Sequence, residues 1–282
     1  MNVKTFGVIG AGQMGGGIAQ VAATSGLSVI LHDISQEFVD RGLVAISANL
    51  QRGVDKGKMS LEEKKAILSR ITPSTNLLSM QAADFVVEAA SENEEIKFKI
   101  FAQLDEICPG RAILASNTSS IPIGRIASRT RRPEKVIGMH FMNPVPVMKL
   151  VEVIRALPTT DETYDITIQL VEKMGKTPAE ARDYPGFLAN RILLPMINEA
   201  IFCLYQGVGN RDAIDSVMKL GMNHPMGPLA LADLIGLDTC LAILNTLHQG
   251  LGDPKYRPCP LLRQYVEAGW LGRKTGRGFY SY

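Results

Sequence analysis

The sequence predicts an α/β protein, a doubly wound and mostly parallel sheet followed by an all-helical second domain. Three observations carry that prediction. Short apolar runs bounded by turn residues alternate with helix-period stretches up to Asp183. A cluster of glycines separates the first apolar run from the first helical stretch. After Asp183-Tyr184-Pro185-Gly186 the apolar pattern becomes almost wholly helical. The expected domains are therefore 1–184 and 185–282.

The elements follow in order. Phe6-Gly7-Val8-Ile9 is a first strand, glycines crowd positions 10–17, and Ile18, Val21 and Ala22 then recur at helical spacing. Residues 27–33 form a second strand that ends on Asp33. Helices are expected over 36–54 and 60–70, the second opened by a Ser60-x-x-Glu63 capping box. Phe85-Val86-Val87-Glu88 is a buried-type strand. Ser91-x-x-Glu94 reads as another capping box, opening a helix with Ile96, Ile100, Phe101 and Leu104 on its apolar side. Further strands are expected over 112–115, 136–141 and 149–154.

Composition bounds the function. The 282 residues include 46% hydrophobic and 21% charged side chains, which fits a folded globular protein and excludes disorder. Thirty Lys and Arg against 28 Asp and Glu leave a formal charge of +2, so no whole-protein attraction to nucleic acid or an anionic membrane is expected. No apolar run approaches the roughly 18 residues of a membrane span. Met1-Asn2-Val3-Lys4 leads directly into the first strand, without a leader-like stretch. Cys108, Cys203, Cys240 and Cys259 lie far apart, without Cys-x-x-Cys or a His at ligand spacing. Neither a zinc site nor a disulfide framework is expected, and a reducing compartment, the cytoplasm, fits. The second domain is rich in Leu, Ile and Met for its length, a surplus that a second copy would bury, which predicts a homodimer.

Gly10-Ala11-Gly12-Gln13-Met14-Gly15 follows a strand and opens a helix, and Asp33 ends the next strand eighteen residues beyond Gly15. Together these read as a dinucleotide site, with a glycine-rich turn in an α/β protein without a cofactor as the alternative. Gly10 forms the tight turn, Gly12 lets a pyrophosphate approach the backbone, and Gly15 lets helix and strand pack closely. The helix N-terminus offers N–H groups and partial positive charge to the phosphates. Asp33 would accept hydrogen bonds from ribose hydroxyls and repel a 2′-phosphate, which favours NAD over NADP. The loop alone does not separate nicotinamide from flavin.

Val136, Gly138 and His140 share one face of a strand. On the next, Glu152 lies between Leu150 and Ile154, a carboxylate in an apolar row that needs a partner. Twelve residues separate His140 from Glu152, which permits adjacent strands. The pair reads either as a general base held in one tautomer by its acid, or as a hydrogen-bonded core histidine with a structural partner. Asn190 shares a helical stripe with Leu194, Ile197, Ile201 and Leu204, where an amide needs a partner in the protein or in a ligand. Ser116-Asn117-Thr118-Ser119-Ser120 follows a strand at the sheet edge where doubly wound folds bind ligands; such a cluster also serves as a turn or cap.

GVIGAGQMGGGIAQ, VVEAASEN, SNTSS, GMHFMNPVPVMKLVEVI, DYPGFLANR, GMNHPMGPLALADLIGLD and GRKTGRGFY occur in this order along essentially the whole chain. In these motifs the chain resembles the 3-hydroxyacyl-CoA dehydrogenases, and among them the short bacterial type acting on 3-hydroxybutyryl-CoA. The resemblance implies a Rossmann-type first domain, NAD as cofactor and an acyl-CoA as substrate. It implies His140 as base, paired with Glu152, and Ser119 and Asn190 as donors to the reacting oxygen. Cofactor contacts would fall on the glycine loop with Gln13 and Met14, and on Asp33, Glu92, Lys97, Ser119, Asn143 and Lys274. Glu92 also reads as a favourable carboxylate in a first helical turn, and Lys97 and Lys274 as solvated lysines. Coenzyme A would meet the hairpin bearing Asn49, Arg52, Lys56 and Lys58, above all Lys56. Relatives often carry a serine where Asn49 stands, and Arg52 and Lys58 read equally as a solvated helix end. Two other functions share this fold type: a dehydrogenase of free β-hydroxyacids, which typically uses a catalytic lysine, and a structural protein without chemistry.

Overall fold

The computed structural model describes residues 3–282; Met1 and Asn2, part of the expected lead into the first strand, lie outside the described residues. The chain divides into two compact units, Met1–Asp183 and Tyr184–Tyr282.

In the first unit one sheet holds β1 (Thr5–Ile9), β2 (Ser28–His32), β3 (Ile71–Ser74), β4 (Phe85–Glu88), β5 (Ile113–Ser116), β6 (Val136–Phe141), β7 (Leu150–Arg155) and β8 (Thr177–Arg182). Their order is β3-β2-β1-β4-β5-β6-β7-β8, with β6 and β7 antiparallel and every other pair parallel. The chain runs outward from β1 through β2 to β3, then returns to β4 on the other side of β1. The loops after β1 and β4 therefore diverge, opening the crevice in which such sheets bind ligands. β4 and β5 are buried along their whole length because both faces of the sheet are covered.

The helices of this unit are α1 (Gln13–Thr24), α2 (Gln36–Asp55), α3 (Leu61–Ser69), α4 (Glu94–Ile107), α5 (Ile123–Ala127) and α6 (Asp161–Lys173). Ile18 and Ala22 of α1 and Ile46 of α2 pack with Phe6, Val8, Leu31 and Phe85 on one side of the sheet. The Phe6 and Phe85 rings stack at 5.7 Å. α3 begins at the expected capping box: Ser60 Oγ accepts from Glu63 N at 3.1 Å, and the Glu63 carboxylate accepts from Ser60 N at 2.7 Å.

α4 departs from expectation. Its cap is Asn93, whose Oδ1 accepts from Ile96 N at 3.1 Å, so Ser91 does not open the helix. Asparagine caps as well as serine and lies nearer the first helical residue. On the expected apolar side Phe101 and Leu104 are buried, but Ile100 is half-buried and Ile96 exposed, because both line the cavity described below. Two strands carry no apolar pattern in the sequence. β3 is an edge strand containing Pro73, tolerated there because an edge leaves one row of N–H groups unused. β8, Thr-Pro-Ala-Glu-Ala-Arg, is the opposite edge, where polar residues guard exposed backbone.

The second unit is helical: α7 (Ala189–Tyr205), α8 (Arg211–Ser216), α9 (Pro228–Ile235), α10 (Leu237–Leu251) and α11 (Pro260–Glu267). Leu194, Ile197 and Ile201 of α7 pack with Leu229, Leu244 and Leu262, and Leu204 of the same stripe is half-buried. Asn198 is buried in this core, satisfied by Cys259 N at 2.9 Å and the Arg257 carbonyl at 3.0 Å. Among the described residues no single helix is long and apolar enough to cross a membrane. All four cysteines are free, and burial pushes the thiols of Cys108 and Cys240 up to about 11 and about 12.

Candidate active site

Each glycine of the loop has its own steric reason. Gly10 has φ +100°, and a Cβ there would stand 2.6 Å from the Ala89 carbonyl oxygen. A Cβ at Gly15 would stand 1.8 Å from the Gly10 carbonyl oxygen, so helix and strand meet with no room for a side chain. A Cβ at Gly12 would meet nothing within 4 Å. The loop is thus closed at its flanks and open at its centre. Gly12 is also the N-cap of α1 and supplies no side-chain cap, which leaves the first amides to a ligand.

In front of this loop lies a cavity of about 750 Å³ lined by Gly10, Gly12, Asp33, Phe38, Ile96 and Ile100, among others. Asp33 is half-buried; Oδ2 accepts from Ala11 N and Oδ1 from Ile34 N, both at 2.7 Å. These bonds fix the carboxylate and leave each oxygen further acceptor capacity. Gln13 Nε2 donates to Asn143 Oδ1 at 3.1 Å, joining α1 to the loop after β6. Met14 is half-buried against the core. An open glycine centre, bare helix amides and a fixed carboxylate at the end of β2 fit a dinucleotide.

A second group sits at the carboxyl ends of β4 and β5. Glu88 is wholly buried and accepts from Lys97 Nζ at 2.7 and 2.9 Å, from Ser116 Oγ at 2.7 Å and from Ala90 N at 2.7 Å. Lys97, 1% exposed, is therefore no solvated surface lysine: Glu88 provides the partner a buried ammonium needs. The ammonium also lies 3.5 Å from Glu92 Oε2. Glu92 precedes α4 rather than occupying its first turn, because Asn93 takes the cap. Its Oε1 gathers Thr118 Oγ1 at 2.7 Å, Ser120 Oγ at 2.8 Å, Ser119 N and Ser120 N at 3.0 Å, and Ser119 Oγ at 3.3 Å. Burial alone would raise the Glu92 pKa, but Lys97 and these donors outweigh it and hold the carboxyl below its usual range.

The third group is the histidine and its acid. His140 and Glu152 face each other across the antiparallel β6–β7 pair, and His140 Nδ1 lies 2.7 Å from Glu152 Oε2. Both residues are buried, and Glu152 is 1% exposed. A carboxylate only accepts, so in the neutral ring the proton sits on Nδ1 and the basic lone pair on Nε2.

The remaining positions are placed as follows. Lys56 is the exposed C-cap of α2, and Lys58 and Arg52 are exposed beside it. Arg52 donates to Asn49 Oδ1, and Asn49 borders the cavity. In the second unit Asn190 is half-buried in the first turn of α7. Lys274 Nζ binds both Asp238 oxygens at 2.6 Å, so it is tethered rather than freely solvated. Burial would raise the Asp238 pKa, but Lys274 and the Thr239 amide hold it below the usual range.

The sequence does not single out Glu88 or Lys176 as site residues, and it shows Ser116 only as part of the Ser/Thr cluster after β5. Glu88 carried the signal used for Glu152, a carboxylate in an apolar strand, with a lysine nine residues on. Lys176, a lysine before a polar edge strand, had no such mark.

Comparison with known proteins gives the family. Residues 5–184 match the model of the 3-hydroxyacyl-CoA dehydrogenase NAD binding domain, and 186–282 that of the 3-hydroxyacyl-CoA dehydrogenase C-terminal domain. A probable 3-hydroxybutyryl-CoA dehydrogenase of Bacillus subtilis is 60% identical, with 100% of this chain and 98% of the relative covered. The 3-hydroxybutyryl-CoA dehydrogenase of Bradyrhizobium diazoefficiens is 57% identical over 99% of this chain and 96% of its own. The crystal structure of (S)-3-hydroxybutyryl-CoA dehydrogenase from Ralstonia eutropha superposes with a TM-score of 0.98 at 50% identity, covering 100% of this chain and 99% of that one. With both family domains matched in order across the chain, this protein belongs to the 3-hydroxyacyl-CoA dehydrogenase family.

Proposed function

We propose that this chain interconverts (S)-3-hydroxybutyryl-CoA and acetoacetyl-CoA with NAD, His140 acting as the general base that Glu152 orients. The observation that carries the reading is the buried 2.7 Å contact between His140 Nδ1 and Glu152, in a chain of this family. Bound NAD supplies the acceptor for the hydride leaving C3 of the substrate, and NADH the donor in reverse. In the oxidative direction His140 Nε2 takes the proton of the 3-hydroxyl while Glu152 keeps the ring in that tautomer and stabilises the imidazolium formed. In reverse the imidazolium donates to the 3-keto oxygen. Proton transfer of this kind contributes roughly 10²- to 10⁴-fold. Ser119 and Asn190 are the proposed donors to the reacting oxygen.

The cofactor contacts proposed are Gly10, Gly12, Gln13, Met14, Gly15, Asp33, Glu92, Ser119, Asn143 and Lys274, with Lys97 acting from beneath through Glu92. Coenzyme A is assigned to Lys56, with Arg52 and Asn49 beside it. On this reading the first domain binds NAD, and the second binds substrate and pairs with a second copy in a homodimer. The exposed Val208, Leu220 and Met222 of the second unit support that pairing. Four unpaired thiols support a cytoplasmic setting.

The test is steady-state oxidation of NADH and NADPH with acetoacetyl-CoA, longer 3-oxoacyl-CoA thioesters and free acetoacetate. The expected order is acetoacetyl-CoA first and NADH over NADPH. Turnover of free acetoacetate in preference to the thioester overturns the assignment.

A further inference from the structure

One buried charge serves neither the proton transfer nor the glycine loop. Lys176, the residue before β8, is 9% exposed, and its Nζ donates to the Val145 carbonyl at 2.6 Å and the Met148 carbonyl at 2.7 Å. Burial pushes its pKa down. An ammonium in such a place is costly to desolvate, so its two carbonyl contacts need a reason.

The reason lies in the segment it grips. Residues 142–149 connect β6 to β7, and so join the strand of His140 to that of Glu152. Outside the ladder their carbonyls need donors from elsewhere. The same segment rests on α1 at two points. Gln13 Nε2 reaches Asn143 Oδ1 at 3.1 Å, and Val145 packs so closely on Gly17 that a Cβ there would stand 2.8 Å from the Val145 Cβ. Lys176 therefore grips a loop that also rests on the helix that opens the cofactor site.

We propose that Lys176 is a positioning residue for the dehydrogenase reaction: by drawing the Val145 and Met148 carbonyls together, it holds Asn143 beside α1 and keeps the two strand ends bearing His140 and Glu152 aligned. This rests on the function proposed above. Lys176 does not line the cavity in front of the glycine loop and acts through residues 142–149.

The experiment is a double-mutant cycle read by NADH binding, with Lys176→Met, Asn143→Ala and the double variant titrated by NADH fluorescence and checked by thermal melting. Lys176→Met is expected to weaken NADH binding roughly tenfold, the order of one lost hydrogen bond when the loop shifts. In the Asn143→Ala background it should add less than about twofold, because both substitutions act through one loop. Additive losses, or NADH binding within about twofold of wild type in a folded Lys176→Met, overturn the proposal. Lys176→Gln keeps an amide donor and serves where Lys176→Met fails to fold; the same non-additivity is expected of it, and additivity counts against the proposal. The binding readout stands apart from turnover, so a wild-type protein inactive on acetoacetyl-CoA would refute the reaction while leaving the cycle to judge Lys176.

Discussion

Replacing Glu152 with glutamine changes one atom in a buried contact and should stop most turnover. In the wild type the carboxylate can only accept, and at 2.7 Å from Nδ1 it fixes the proton there and the lone pair on Nε2. A glutamine at the same place can turn its amide toward the ring and donate to Nδ1, which forces the proton onto Nε2 and removes the base. With Glu152 1% exposed, no bulk water competes to restore the tautomer. Loss of a hydrogen bond to a charged group costs about 1.5–3 kcal/mol, roughly 10- to 150-fold in rate. Full loss of general-base assistance sets the upper bound at about 10⁴. The expected fall in kcat with (S)-3-hydroxybutyryl-CoA and NAD is therefore near 10², with NADH affinity within about twofold of wild type. The assay is NADH absorbance for turnover and fluorescence titration for binding on the same preparation. A folded Glu152→Gln enzyme within about threefold of wild-type kcat would refute the orienting role.

Gly12→Ala and Gly15→Ala should separate binding from folding. Gly15→Ala drives a Cβ into the Gly10 carbonyl and should lower the melting temperature, at a cost of about 1–3 kcal/mol or more, whereas Gly12→Ala should melt like wild type yet lose NADH affinity at least about tenfold. Equal effects on melting would contradict the steric reading. Lys56→Ala should raise KM for acetoacetyl-CoA several-fold and leave KM for NADH unchanged; a change in the NADH term alone would move Lys56 out of the coenzyme A site. Asp105 gives a pH signature. Its burial would raise its pKa, but the Arg131 amide and the side chains of Arg132 and Arg131 outweigh that and hold it below the ordinary 3.8. The folded carboxylate thus binds its proton less readily than the unfolded one. Its stabilisation is present above 3.8 and is lost as pH falls through the folded value. Asp105→Asn should lower the melting temperature more at neutral pH than near about pH 3, and an equal drop at both would count against it.

Much of the sheet was legible because buried parallel strands are near-continuous apolar runs, as β4, β5 and β6 are apart from Glu88, Ser116 and His140. The edges were not. β3 and β8 are half-solvated, so Thr72, Pro73, Glu180 and Arg182 satisfy them as well as any apolar residue, and nothing in the sequence marks them as strand. The His140–Glu152 contact was readable for the opposite reason: a carboxylate between Leu150 and Ile154 has to find a partner, and His140 lies twelve residues away. The solvated alternative for Lys97 fails because its partner, Glu88, belongs to another element. Helix spacing shows which residues share a face, but not which strand end lies beneath it. The glycine loop stands between these cases. Its pattern is recognisable, while the difference between the open Gly12 and the closed Gly15 exists only in three dimensions.

The proposed chemistry turns on His140. The direct measurement is single-turnover reduction of acetoacetyl-CoA by enzyme-bound NADH, comparing wild type with His140→Ala after NADH titration of both. Equal NADH binding is expected, with a rate reduced by about 10²- to 10⁴-fold in the variant. A His140→Ala enzyme that binds NADH normally and reduces the thioester at the wild-type rate would place the proton donor elsewhere.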